Sequence, residues 1–250
     1  MKTLSMKSLV GALMLFSAPA FADSTTSIPA FEAAITAAKL PSSPGGATIQ
    51  RSEIRTALDA FLNDIGLGVD STERAYLTTR LNDTPFQQSM TGTAAKYFAD
   101  FYELNDATFT GYPLNLYPVT QTPAVLFGAT GSFSSARISE GYIPNGQGVA
   151  NQQTLGEAFS NAFGPQASDF EPITVKELIA QLSAYSYNVD EVEGAVAYIT
   201  QISRNSNRLY RTGWSCRGCG APGYTQGFAI AAVSTDRRFV RMISITTYAD

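Results

Sequence analysis

The chain has 250 residues, of which 44% are apolar and only 15% charged, so it is long enough for one sizeable core or two small ones and too apolar for disorder or a coiled coil. It carries a net charge of −4, two cysteines and no histidine. The missing histidine excludes Ser-His-Asp and Cys-His catalysis, haem attachment and the usual zinc sites, and leaves carboxylates, tyrosine, serine with lysine and the cysteines as catalysts.

The first 22 residues have the order of a secretory signal. Lys2 and Lys7 form a basic start, Leu9 to Phe16 a short apolar run, and Ala20-Phe21-Ala22 a small-x-small cleavage site before Asp23. The expected division is a signal peptide over 1–22, a lead-in and linker over 23–46, and a single α+β domain over 47–250. No apolar run after residue 22 approaches the ~20 residues of a membrane helix, so no membrane span is expected. The expected location is the periplasm or the outside of a bacterial cell.

Residues 23 to 28 read as a flexible lead-in and Pro29 to Leu40 as a short helix. Pro41 to Gly46 is a breaker cluster. Thr48 to Ile65 carries Ile54, Ala57, Leu58, Phe61, Leu62 and Ile65 in one stripe of helical period, stopped by Gly66 and Gly68. Asp70 caps a second helix, answered by Glu73, with Tyr76, Leu77 and Leu81 inward. Thr84 caps a third, with Pro85 first and apolar positions from Phe86 to Phe101. Residues 97 to 142 hold ten aromatics, which either fill the core beside the helices or line a groove. Within them Ala124 to Ala129 reads as a buried strand, and 139–150 as a Gly-rich loop.

Helices return afterwards. Asn151 caps a segment with Leu155, Phe159 and Phe163 inward, and Thr174 with Glu177 forms a capping box for Val175 to Tyr185. Asp190 to Ser203 follows. The C-terminus reads as strands over Asn207 to Thr212, Thr225 to Val233 and Arg238 to Tyr248. On the last, Ile243 and Ile245 share a face with Arg241 while Val240 and Met242 take the other, so the strand is central or covered on both sides. The expected fold class is α+β, a mainly helical N-terminal and central part packed with a C-terminal three-stranded antiparallel meander.

Two motifs fail. Ala124 to Ser134 resembles a dinucleotide-binding turn but ends on Ser134 in place of its third glycine and lacks alternating βα units. Asp106 to Gly111 begins like a calcium loop, whose twelfth position is Tyr117 instead of glutamate. No cofactor, no metal and no nucleic-acid partner is expected.

Charge is uneven along the chain. Residues 23 to 199 hold 19 acids and 8 bases, whereas residues 200 to 250 hold seven arginines against two acids. These arginines either dock on the acidic part of their own chain or form an anion-binding face, for which planar guanidinium groups are suited. The candidate site is Arg208, Arg211, Trp214 and Arg217, shaped by a disulfide between Cys216 and Cys219 worth only about 2 kcal/mol because its loop is short. The partner would be an anionic macromolecule or small ligand. Glu103, Asp106, Glu140 and Glu157 support an alternative, a carboxylate-based cell-wall or polysaccharide hydrolase. The Cys-Arg-Gly-Cys segment supports another, a thiol-disulfide protein, against which its surrounding glycines argue.

Overall fold

The computed structural model describes residues 24–62, 68–107, 113–120, 136–185, 189–202, 208–218 and 223–249. The expected strand over 124–129, the aromatics Phe109, Tyr112, Phe127 and Phe133, and Cys219 lie outside the described residues.

Five helices come first. α1 spans Ser24–Ala38, so the expected lead-in is helical, and Ser27 is buried beside Phe31, Ile35 and Ala38 with its hydroxyl donating to Glu73. α2 spans Arg51–Leu58 and runs into a 3₁₀ turn at Asp59–Phe61. It starts three residues later than the sequence suggests, where Gln50 N–H donates to the Glu53 carboxylate at 2.8 Å and caps the first turn. α3, Ser71–Leu81, opens on the expected Asp70–Glu73 box, with Asp70 Oδ1 accepting from Thr72 and Glu73 N–H at 2.7 and 2.8 Å. The expected third helix is two, α4 at Thr84–Gln88 capped by Asp83 and α5 at Gly92–Leu104 capped by Thr91. A long-range backbone exchange interrupts it: Ile49 N–H donates to Ser89 O at 2.8 Å and Thr91 N–H to Ile49 O at 3.0 Å. These helices close their own core around Phe31, Ile49, Ile54, Phe61, Leu77 and Phe98.

The rest of the chain builds an antiparallel sheet between helical layers. Its strands are β1 (Tyr117–Pro118), β2 (Arg137–Tyr142), β3 (Gln166–Ala167), β4 (Glu171–Pro172), β5 (Arg208–Arg217), β6 (Tyr224–Val233) and β7 (Phe239–Ala249), and its helices are α6 (Gln152–Phe163), α7 (Val175–Tyr185) and α8 (Val189–Ile202). The order is β1-β2-β7-β6-β5-β3, with β4 also on β5. The expected meander is therefore the centre of a sheet of seven strands among the described residues. β2 enters where a loop was expected. Its Gly141 permits this, since a Cβ there would lie 2.2 Å from Asn115 O. β5 runs five residues past its expected end, so Trp214 and Cys216 belong to the strand.

Both faces of the sheet are covered, as the sequence of β7 implies. Val240 and Met242 pack with Leu155, Phe159, Tyr210 and Trp214 beneath α6. Ile243 and Ile245 pack with Leu178, Leu182, Ile199 and Phe228 beneath α7 and α8. The Asn151 cap and the Thr174–Glu177 box both form as expected.

Candidate functional site

Strand alternation decides where the arginines of β5 go. Successive side chains point to opposite faces, so Arg208, Tyr210 and Trp214 lie on the α6 side and Leu209, Arg211, Gly213, Ser215 and Arg217 on the α7 side. The four candidate residues are thus not brought together. Arg208 is clamped on both oxygens of Glu103, with Nη2 to Oε1 at 2.6 Å. Trp214 is only 8% exposed and packs against Gly227, where a Cβ would stand 2.6 Å from the indole. Its ring belongs to the core layer and offers no surface platform.

The remaining C-terminal arginines at the hairpin end are also engaged within the chain. Arg237 Nη1 meets Asp106 at 2.5 Å, and its other donors reach the carbonyls of Ala150 and Glu103. Arg238 donates to Ile143 O at 2.9 Å and lies over the Tyr142 ring at 4.7 Å. Arg241 Nε meets Glu140 at 2.7 Å. These contacts occupy three of the four acids that a hydrolase would draw on, Glu103, Asp106 and Glu140. Glu157 is exposed and accepts from Gln153.

Arg211 and Arg217 differ. No ion pair among the described residues includes either of them. Arg217 is exposed, whereas the Nε of Arg211 is buried and has no hydrogen-bond partner among the described residues. Arg211 lines a cavity of about 310 Å³ together with Arg55, Glu171, Ile173, Glu177 and Gln181. This cavity lies on the seam where α2 meets β4, β5 and α7.

The seam's electrostatics come from three elements. α2 brings Arg51 and Arg55 on its polar side, one turn apart. Arg51 binds Glu177 in a fork at 3.1 and 2.9 Å and stacks over Tyr97 at 4.6 Å. Arg55 meets Glu171 at 2.6 Å. Glu171 is the register partner of Arg211, yet its carboxylate is paired with Arg55. Burial pulls the Arg55 guanidinium down, but Glu171, Tyr97, Asp59 and Glu177 more than reverse this, and its pKa is raised. Burial also raises the Asp59 carboxyl, helped by Glu171 and opposed by Arg55. For Glu177 burial is outweighed by bonds from Arg51 and Thr174, so its pKa falls. The seam's two cavity carboxylates therefore each hold an arginine, and the guanidinium left over is that of Arg211.

Sequence reasoning found Arg211 and missed Arg55, Glu171 and Gln181. The Thr174–Glu177 box was legible as a helix start, but nothing in the chain order indicated that the outer oxygens of Glu177 would meet α2. A wider cavity of about 590 Å³ lies elsewhere, lined by Arg74, Asn105, Gln152, Glu157 and Asp169. Its cation, Arg74, donates to Val69 O. Its bordering residues Gly68 and Ala107 adjoin segments outside the described residues. Among the described residues no group of acids and cysteines has the geometry of a metal site, and no helix is long and apolar enough to cross a membrane.

No family model matches the chain, and no curated protein and no solved structure matches it.

Proposed function

We propose that this is an exported, non-catalytic protein that binds an anionic ligand through Arg211. One observation carries the reading: a guanidinium whose Nε is buried without a partner lines a cavity whose two carboxylates are held by other arginines. A buried donor left unsatisfied costs about 1–3 kcal/mol, and a carboxylate or phosphate entering the cavity would recover that cost through a charge-assisted bond. Export rests on the signal-like order of residues 1–22. A disulfide between Cys216 and Cys219 would then fix the far end of β5.

Two features weigh against the catalytic alternatives. Three of the four acids of the hydrolase reading are held by Arg208, Arg237 and Arg241, which leaves Glu157 without a second carboxylate from that set to form the pair such a mechanism needs. Cys216 sits at the end of a strand, opposite Thr225, and not at a helix N-terminus where thiols become reactive.

The test is calorimetric titration of inorganic phosphate and of a small dicarboxylate into wild type, Arg211→Ala and Arg238→Ala. Binding should weaken with salt, as screening shortens to ~8 Å near physiological ionic strength. It should be lost in Arg211→Ala and kept in Arg238→Ala. Equal binding by wild type and Arg211→Ala would overturn the proposal.

A further inference from the structure

The face of β5 that carries Arg211 continues as Gly213, Ser215 and Arg217, and β3 and β6 extend it sideways. Gln166, Ser215 and Gln226 stand in one cross-strand row. All three are exposed. A polar groove of about 500 Å³ follows this row and is bordered by Gln166, Ser168, Gly213, Ser215, Gln226 and Thr247. A Cβ placed on Gly213 would meet nothing within 4 Å, so the floor is open there. Arg211 and the seam cavity stand at one end of the strip, and exposed Arg217 at the other. Six residues of strand at ~3.3 Å each separate the two arginines by about 20 Å.

We propose that this strip is a row of subsites for a linear acidic glycan, with carboxylates held at Arg211 and Arg217 and sugar hydroxyls held between them. The proposal rests on the anion reading of Arg211 and gives it a ligand class. Charge complementarity requires a ligand anionic at intervals. The lining selects among such ligands. Gln166 and Gln226 each offer a donor and an acceptor, and Ser168, Ser215 and Thr247 offer hydroxyls. Sugar hydroxyls both donate and accept and therefore match this set, whereas polyphosphate only accepts. An acidic peptide would bind an exposed sheet through its backbone, yet the outer edge of β5 is already paired with Gln166–Ala167 and Glu171–Pro172. The groove's lining is mostly polar, whereas peptide side chains dock in apolar pockets.

The experiment titrates galacturonate oligomers of one, two, four and six units into the purified protein, beside neutral glucan oligomers, polyglutamate and polyphosphate. Affinity should rise at least tenfold between the single unit and the oligomer that reaches both arginines, because the second contact becomes intramolecular. Neutral oligomers should not bind. Arg217→Ala and Gly213→Val should remove the gain with length, and Arg211→Ala should weaken every oligomer. Should Gly213→Val disturb the strand, Ser215→Glu places a like charge on the same floor and decides the point. Arg211-dependent binding with no gain in length would overturn the strip and leave the anion site standing. No binding by any anionic probe would overturn both. An equal length-dependent gain with polyglutamate or polyphosphate would overturn the glycan assignment.

Discussion

At the hairpin end of the sheet, Arg208, Arg237, Arg238 and Arg241 each meet a carboxylate, a carbonyl or a ring of their own chain, whereas along the α7 side of β5, Arg211 and Arg217 meet no carboxylate among the described residues. The residue type is the same, and so is the stretch of sequence. What differs is the element packed opposite. The C-terminal end of α5 brings Glu103 and Asp106 against the hairpin. At the seam α2 brings arginines of its own, Arg51 and Arg55, which take the nearby carboxylates. A basic C-terminal region thus serves partly as internal counter-charge and partly as a source of unmatched donors, and within β5 itself the division falls between Arg208 on one face and Arg211 and Arg217 on the other.

The sharpest way to break this comparison is Arg237→Ala. Its side chain and that of Asp106 are only 12% and 11% exposed, and it also satisfies the carbonyls of Ala150 and Glu103. Removing one partner of a buried pair costs about 3–5 kcal/mol. Chemical denaturation should show that loss, with anion binding per folded molecule unchanged. A stable variant with lost binding would reverse the roles assigned to the two regions.

Arg208→Ala should do less damage in the same sense. The fork to Glu103 is partly exposed, at 15% and 25% for the two side chains, so water can reach the orphaned carboxylate. Bonds to charged groups of this kind contribute about 1.5–3 kcal/mol. The melting temperature should fall while the phosphate titration stays as in wild type. An unchanged melting temperature would place Arg208 with the unmatched set.

Much of the fold was legible because its signals are local. The Asp70–Glu73, Asn151 and Thr174–Glu177 caps are patterns of neighbouring residues, and all three formed. The two faces of β7 followed from alternation alone. What was not legible depends on distant chain. Ile49 divides α4 from α5 by bonding across to Ser89 and Thr91. β2 is a strand because β7 pairs with it and because Gly141 lets Asn115 approach. The site was half legible for the same reason. An arginine-rich strand is visible in sequence, but its length past Thr212 was not, and with it went the burial of Trp214. Arg55 and Glu171 are 116 residues apart and meet only in the fold.

Arg211→Leu sharpens the other side of the comparison. The substitution keeps an apolar stem against Ile173 and removes a buried Nε with no partner. Since no carboxylate is left orphaned and a buried donor costing about 1–3 kcal/mol is removed, stability should shift upward, by at most that amount. Thermal melts should therefore separate Arg211→Leu from Arg237→Ala by sign, even though both delete an arginine from the same sheet. A drop as large as that of Arg237→Ala would mean that Arg211 has an internal partner after all and would remove the basis of the anion site.

The smallest effect concerns Asp100, on the α5 face that supplies the hairpin's acids. Burial raises its pKa most, the bond from Lys96 opposes this, Glu103 adds to it and Arg208 opposes it again. A raised folded pKa means that the folded chain holds this proton more tightly than the unfolded chain does. Ionised Asp100 therefore costs stability above its folded pKa, and the cost disappears as the pH falls below the ordinary carboxylate value of ~4. Asp100→Asn should accordingly be slightly more stable than wild type at neutral pH, and the advantage should vanish on acidification. Lys96 is 40% exposed and can be hydrated, so the lost pair should offset little of the gain. Glu177→Gln should run the opposite way: its folded pKa is lowered, so its stabilisation is present above the ordinary carboxylate value and is lost as the pH falls through the folded one. Denaturation curves of the two variants across the carboxylate range should therefore move apart from wild type in opposite directions at neutral pH and converge with it in acid. Parallel shifts for both would mean that the acids of α5 and of the seam sit in equivalent surroundings, and the contrast between the two regions would not extend to their carboxylates.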